Sequence, residues 1–340
     1  MAAMDPRSAM EQNNKAAVAV VGAGYWGKNL IRNFHALGVL RAIVDSDPKT
    51  RQTAEQGYPG VAVTQDLGEL LRRPDINAVA LATPAETHFQ LACQCILAGK
   101  DVFVEKPLSL NVEDGERLVA LAREKGRTLM VGHLLQYHPA VVRLKQLVAA
   151  GELGPLQYIY SNRLNLGKIR TEENILWSFA PHDISVILSL VGHLPISVVC
   201  HGSHFLTQGI ADVTLSHLTF GDGVAAHIFV SWLHPFKEQK LVIVGEKSMA
   251  VFNDTEPENK LLLYPHVINW KSGVPAPERR EAVAVAVDKV EPLQEECRSF
   301  VEAVETGRPP RTDGAEGLDV LKTLSACQLS MEQGGRVITL

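Results

Sequence analysis

The run Val18-Ala19-Val20-Val21-Gly22-Ala23-Gly24-Tyr25-Trp26-Gly27 constrains this chain most, because it sets G-x-G-x-x-G directly behind an apolar strand and ahead of a helix. Each glycine has a physical task in that setting. Gly22 permits a tight turn, Gly24 lets the backbone approach a pyrophosphate, and Gly27 allows close helix packing, while the amides that open the helix face the anion. Tyr25 and Trp26, inside the turn, join the cofactor-binding set. Asp45 ends the next apolar run, 18 residues past Gly27, where a carboxylate can accept hydrogen bonds from both hydroxyls of an adenosine ribose. Asp47 adds charge that would repel a 2′-phosphate, which favours NAD over NADP, although Lys49 and Arg51 stand close enough to leave dual use open. Asp45 also has a purely local reading, as the cap of the helix containing Pro48.

Behind this motif, short apolar runs alternate with amphipathic stretches, the pattern of repeated βα units and a parallel sheet. Strands are expected at Ala17–Val21, Leu40–Val44, Ala78–Ala82, Val102–Val104 and Leu129–Val131, with a further short one around Gly60–Val63. The texture changes after His133. A helix is expected at Pro139–Ala149, then strands at Gln157–Arg163, Ile196–Phe205, Val213–Phe220, Ala225–Trp232 and Lys240–Val244, with Gly221-Asp222-Gly223 as a hairpin turn. Helices return at Pro292–Val304 and Ala315–Met331, while Glu256–Glu258 and Gly273–Glu281 read as long surface loops. The fold class is therefore α/β with two domains. Residues 16–134 form a Rossmann domain that binds NAD(P), and residues 135–340 form a substrate-binding and oligomerisation α+β domain with a largely antiparallel open sheet. Residues 1–15 read as a disordered tail or an expression remnant.

A formal charge of −5 and a pI of 6.2 leave no basic excess for nucleic acid. No apolar run approaches the roughly 18 residues of a membrane span, and the first residues lack an apolar signal core, so a cytoplasmic protein is expected. Cys93, Cys95, Cys200, Cys297 and Cys327 are scattered and odd in number, which argues for reduced thiols. No metal site is expected: His201, His204, His217 and His227 step along strands without ligand spacing and read as packed or interface residues.

Two further segments carry chemistry. Thr83-Pro84, with His88 one turn on, follows the fourth firm strand at the carboxyl edge, where open parallel sheets bind ligands, so Thr83, Pro84 and His88, with Glu105 and Lys106 below, complete the candidate cofactor-binding residues. Glu105-Lys106-Pro107 sets a charged pair and a rigid proline behind an apolar strand, and a lysine there can donate to a substrate hydroxyl or share its proton. No G-x-S-x-G elbow is present, so a Ser-His-Asp hydrolase explains the chain poorly.

With these residues in place the chain resembles the glucose-fructose oxidoreductase, inositol dehydrogenase and rhizopine catabolism family, Gfo/Idh/MocA. The likeness spans residues 16–340. It is carried by Gly22 to Gly27 with Asp45, Thr83-Pro84 with His88, Glu105-Lys106-Pro107, and Val131-Gly132-His133 with Tyr137-His138-Pro139. Phe300, Ala303, Gly307, Pro309 and the helix ending at Gly335 resemble the family's closing segment. The resemblance implies hydride exchange between nicotinamide and a hydroxyl-bearing carbon of a pyranose or cyclitol, with Lys106 as the catalytic lysine and His182 as the base. The family often has Asp four residues before that histidine; here Ser178 stands there, so either Asp183 or Ser178 takes another role, or the geometry differs. His133, Arg163, Asn165, Arg170, Asn174, Trp177 and Asp183, together with Lys106 and His182, are the candidate substrate-binding residues, and Lys168 adds a further donor nearby. Such a set suits a nucleotide-linked sugar, a UDP-N-acetylhexosamine or its uronic acid. An inositol or free-sugar dehydrogenase, a keto-sugar reductase and a non-catalytic NAD-binding regulator are the alternatives. The resemblance also implies a homodimer or homotetramer through the C-terminal sheet, since related proteins commonly assemble that way.

Overall fold

In the computed structural model, which describes residues 15–340, the apolar runs of the first half become strands buried along almost their whole length, the edge strand at Ala62–Thr64 apart. The expected tail at 1–15 lies, apart from Lys15, outside the described residues. The chain runs β1 (Val18–Val21), α1 (Gly27–Ala36), β2 (Leu40–Val44), α2 (Pro48–Gly57), β3 (Ala62–Thr64), α3 (Leu67–Leu71), β4 (Ala78–Leu81), α4 (Ala85–Leu97), β5 (Asp101–Glu105), α5 (Val112–Lys125) and β6 (Leu129–Gly132). The six strands pair in parallel in the order β3-β2-β1-β4-β5-β6. Helices cover both faces of such a sheet, which is why its strands need no polar alternation. The order reverses between β1 and β4, the switch point where ligands bind in open α/β sheets. Register keeps the strand ends level: Val21 pairs with both Val44 and Leu81, so Gly22, Asp45 and Ala82 emerge side by side at the carboxyl edge. The cysteines are free thiols, and burial pushes Cys95 up to about 12.

The second unit holds α6 (Pro139–Ala149), β7 (Leu156–Leu164), α7 (Ile175–Val191), β8 (Ser197–Ser203), β9 (Val213–Thr219), β10 (Ala225–Ser231), β11 (Glu238–Gly245), β12 (Met249–Asn253), β13 (Leu261–Tyr264), β14 (Val267–Lys271), β15 (Val274–Glu278), β16 (Val283–Ala284) and β17 (Ile338–Thr339). Among the described residues all of these strands but β14 and β15 make one mixed sheet, β16-β13-β12-β11-β7-β10-β9-β8-β17, in which only β7 and β10 run parallel. Alternation sends Ile159, Leu218, Ile228, Val230 and Ile243 into the core, where α7 packs on β7, β9 and β10. The other face is open. It presents Tyr158, Tyr160 and Leu215, with His217 directly opposite His227. No described helix is long and apolar enough to cross a membrane.

One loop expectation fails. Gly273–Glu281 contains β15, which pairs with β14 as a separate two-stranded hairpin. Its turn places Ser272 at φ 49° and Gly273 at φ 79°, the left-handed pair a tight hairpin requires. Pro275 and Pro277 hide the strand from sequence, since proline is tolerated only where no ladder hydrogen bond is needed from it.

A second correction concerns the domain boundary. The segment Glu291–Leu321, expected in the C-terminal domain, packs with the first unit, which otherwise runs through Leu134; the second unit is Leu135–Val290 with Lys322–Leu340. The reason is apolar packing at long range. Phe300 of α8 (Pro292–Thr306) is fully buried, with Phe34 and Phe103 edge-on at 6.2 and 5.8 Å. Thr312, just ahead of α9 (Gly314–Glu332), exchanges two hydrogen bonds with the backbone of Val131, at 2.8 and 2.7 Å.

Candidate functional site

The glycine turn is shaped by what a side chain would strike. Gly22 has φ +89°, and a Cβ there would lie 2.6 Å from the Ala82 carbonyl oxygen; a Cβ on Gly27 would lie 1.9 Å from the Gly22 oxygen. Gly24 faces open space. The turn thus packs tightly against the end of β4 while its outer backbone stays approachable, as a bound pyrophosphate requires. Asp45 locks it from the side: Oδ2 accepts from the Ala23 amide at 2.7 Å and Oδ1 from the Asp47 amide at 2.8 Å. The local alternative for Asp45 is not realised, because Asp47 caps α2, accepting from the Thr50 amide at 2.8 Å. The Thr50 hydroxyl, with that amide, holds the Asp47 carboxyl below its ordinary range. Arg51 donates to the carbonyls of Asp45 and Ser46 at 2.9 and 2.8 Å, bracing the same strand end. Tyr25 is 80% exposed, with the Lys28 ammonium 5.3 Å from its ring centre.

Lys106 follows β5 directly, at the carboxyl edge of the sheet. Its neighbours are firmly tied. Glu105 accepts a hydrogen bond from the Trp26 indole and lies flat on Gly132, where a Cβ would sit 2.8 Å from its Oε2. Pro107 offers its carbonyl to His88 Nδ1 at 2.8 Å, and His88 Nε2 lies 2.9 Å from the Thr83 carbonyl. Thr87 donates to Thr83 Oγ1 at 2.7 Å or to the Pro84 carbonyl at the same distance. Burial pushes Glu105 up to about 7, against the opposing pull of the Trp26 bond and the Lys106 ammonium.

Three expectations change in this unit. The sequence assigns His88 to the cofactor, but only 1% of it is exposed and both ring nitrogens face backbone carbonyls, so it sits between two turns of the protein. His133 was assigned to substrate, yet it is buried and its Nδ1 is bonded to Glu316 Oε2 at 2.7 Å. Glu105 faces Trp26 in place of a ligand. Sequence reading missed Glu296 of α8, which is fully buried with no hydrogen bond to either carboxyl oxygen. Burial, and then the nearby charges of Glu105 and Glu316, push it well above the usual carboxylate range. An acid at helical spacing in α8 carries no sign in the sequence that it faces inward.

In the second unit Arg163 and Asp183, both expected to meet substrate, are bound to each other. Arg163 Nε and Nη2 donate to the two carboxylate oxygens at 2.8 and 3.1 Å, and the Ser161 hydroxyl adds a bond at 2.7 Å. With side chains 11% and 4% exposed, each neutralises the other, which is how buried charges persist. Burial opposes the Arg163 charge, but Asp183 keeps its pKa above the ordinary value. Asp183 is thus held by Arg163 and Ser161, and Ser178, one turn before His182, is buried. Asn174 caps α7, accepting from the Trp177 amide at 3.2 Å, and both Asn174 Nδ2 and Trp177 Nε1 donate to Gln328, at 2.9 and 3.1 Å. Gln328 is a partner the sequence did not suggest. Arg170 pairs with Glu172 and Glu173 at 3.6 and 3.2 Å, on the same stretch as Asn165 and Lys168. His182 stands in the middle of α7, partly exposed, one turn after the buried Ser178 and directly after Pro181, which lacks the N–H that would meet the Trp177 carbonyl.

Comparison with known proteins agrees with this layout. A model described as an oxidoreductase family with an NAD-binding Rossmann fold matches residues 16–133, and the GFO/IDH/MocA C-terminal domain matches residues 141–251. UDP-N-acetylglucosamine 3-dehydrogenase of Acidithiobacillus ferrooxidans is 27% identical over 319 residues, 92% of this chain and 96% of the relative. A solved structure of that enzyme has TM-score 0.83 at 25% identity, covering 93% of this chain and 97% of its own. The scyllo-inositol 2-dehydrogenase (NAD(+)) of Bacillus subtilis is 28% identical over 242 residues, 67% of this chain and 70% of the relative.

The buried acids make stability depend on pH in a definite direction. Glu105 and Glu296 hold their protons more tightly folded than unfolded. The stability this contributes is present below the unfolded glutamate value of about 4.3 and is lost as pH rises through the folded values. Glu296→Gln lacks its share of that loss, so its thermal midpoint is expected to gain on the unaltered protein as pH rises above the unfolded glutamate value of about 4.3. A difference that stays constant across that range contradicts the assignment.

Proposed function

The chain belongs to the GFO/IDH/MocA family of oxidoreductases with an NAD-binding Rossmann fold, and we propose that it oxidises or reduces one ring hydroxyl carbon of a nucleotide-linked sugar, a UDP-N-acetylhexosamine or its uronic acid. It is an NAD(P)-dependent dehydrogenase acting on CH–OH groups, in line with relatives named UDP-N-acetylglucosamine 3-dehydrogenase and scyllo-inositol 2-dehydrogenase (NAD(+)). The single observation behind the finer reading is Lys106, set at the carboxyl end of β5 and braced through Glu105 by the glycine turn itself. Similarity to UDP-N-acetylglucosamine 3-dehydrogenase along nearly the whole of that relative supports a nucleotide sugar. Similarity to an inositol dehydrogenase keeps cyclitols as the second reading.

The residues fit a dinucleotide: the tight turn at Gly22, the open space at Gly24 and the fixed Asp45 carboxylate form a cradle that side chains would fill. When bound, NAD supplies the carbon that takes or returns a hydride. NAD is preferred to NADP in this proposal, because Asp45 stands where a ribose hydroxyl donates and Arg51 is engaged by backbone carbonyls. Lys106 donates a hydrogen bond to the reacting oxygen and stabilises negative charge developing there. His182 accepts the hydroxyl proton in oxidation and returns it in reduction, so the same groups serve both directions. Asn165, Lys168, Arg170 and Trp177 are the proposed contacts to the rest of the sugar nucleotide. A homodimer or homotetramer through the open face around Tyr158, Tyr160 and Leu215 completes the proposal.

Two measurements test it. In a screen of NAD reduction across nucleotide sugars, free hexoses and inositols, turnover is expected with a UDP-linked sugar, and Lys106→Met is expected to keep NAD affinity within a few-fold while losing orders of magnitude in kcat. Near-normal kcat in that variant removes Lys106 from the mechanism. Light scattering on the eluted protein is expected to return a mass of two or four chains; a monomer contradicts the sheet-mediated assembly.

A further inference from the structure

Lys106 is flanked by two ties, and each leads to a different rim of the nucleotide cradle. On one side, the Glu105 carboxylate accepts from the indole of Trp26, inside the glycine turn. Gly132 makes that geometry available, because β5 and β6 pair Glu105 with Gly132 and any larger residue would strike the carboxylate. On the other side, the Pro107 carbonyl meets Nδ1 of His88, whose Nε2 reaches the Thr83 carbonyl at the end of β4. The two rims touch each other as well, at Gly22 against Ala82 and Thr83. Backbone on both sides of one lysine thus faces the two loops on which a dinucleotide would rest, through the Trp26 bond on one side and the His88 ring on the other.

We propose that Trp26 and His88 are positioning residues which couple the seating of the dinucleotide to Lys106, so that filling the cradle changes how the ammonium is presented. The proposal rests on the reading of Lys106 as the group that meets the substrate oxygen. It also gives two residues, grouped above with the cofactor contacts, a different task. Trp26 supplies a single N–H that no other aromatic side chain but histidine could replace. His88 faces two acceptors, and a neutral imidazole has one N–H, so only one contact at a time is a hydrogen bond unless the ring is protonated. Burial, and then the Lys106 charge, disfavour that protonation, while the two carbonyls and Glu86 favour it. His88 therefore holds either turn strongly and both only on gaining a proton.

The test reads Lys106 directly and needs no substrate. The rate at which an amine-acylating reagent labels Lys106, followed by peptide mass spectrometry, is measured with and without saturating NADH in the unaltered protein and in Trp26→Phe, His88→Gln and His88→Phe. NADH is expected to change the unaltered rate about tenfold and the rates of Trp26→Phe and His88→Phe less than about twofold, with NADH affinity within about threefold throughout. His88→Gln keeps an N–H group able to reach one carbonyl and is expected to fall between, which leaves a readable variant where phenylalanine does not fold. The same NADH effect in all variants, no NADH effect on Lys106 in the unaltered protein, or outright loss of NADH binding in the variants each overturns the proposal. With UDP-N-acetylglucosamine as probe in a parallel assay, failure of the unaltered protein to turn over counts against the substrate reading alone, since the labelling ratios stand without it.

Discussion

The backbone at Gly22 comes so close to the end of β4 that one added carbon would meet the Ala82 oxygen at 2.6 Å, and the cofactor edge is built around that approach. Two strands that neighbour each other in the sheet but lie far apart in sequence deliver their loops to one point, because the strand order reverses there. Everything else at the edge leans on this contact. Asp45 fixes the Ala23 amide, Arg51 fixes the strand end that carries Asp45, and Trp26 reaches from the turn to Glu105. A side chain at Gly22 or Gly27 would force the turn away from the sheet and disturb these bonds together.

Much of the first unit was legible because its signals are local. A continuous apolar run means a strand covered on both faces, and three spaced glycines set between strand and helix narrowly specify a phosphate-binding turn. What could not be read was the direction in which polar side chains point. His88 and His133 stand in motifs that suggest ligand contact, yet both face inward onto protein acceptors. Sequence gives the spacing of a histidine from a strand end; only packing shows which neighbours meet its ring. Glu296 is the extreme case, since an acid in an amphipathic helix is ordinarily solvated and here it is fully buried.

The second unit was harder, for a related reason. Its antiparallel strands were visible from alternation, and β7 to β11 fall within a residue or two of the expected bounds. The donors gathered before and within α7 had seemed a single substrate-facing set. Packing divides them: Arg163 with Asp183 forms a closed ion pair, Asn174 and Trp177 are held by Gln328, and Arg170 is balanced by its own acidic neighbours. Gln328 lies far along the chain from both residues it holds, and no local pattern announces such a partner. The return of Glu291–Leu321 to the first unit is the same lesson at the scale of a domain, carried by the Phe300 ring.

The central claim is that the turn Gly22–Gly27 with Asp45 is a cradle for NAD, and a fluorescence titration tests it most directly. Protein excited at its tryptophans is titrated with NADH and, separately, with NADPH, and energy transfer to the reduced nicotinamide is followed. Saturable transfer is expected with NADH, with binding of NADPH weaker by about tenfold or more, and with loss of that preference in Asp45→Ala. Absence of saturable binding to either dinucleotide, or tighter binding of NADPH than of NADH by the unaltered protein, would contradict it.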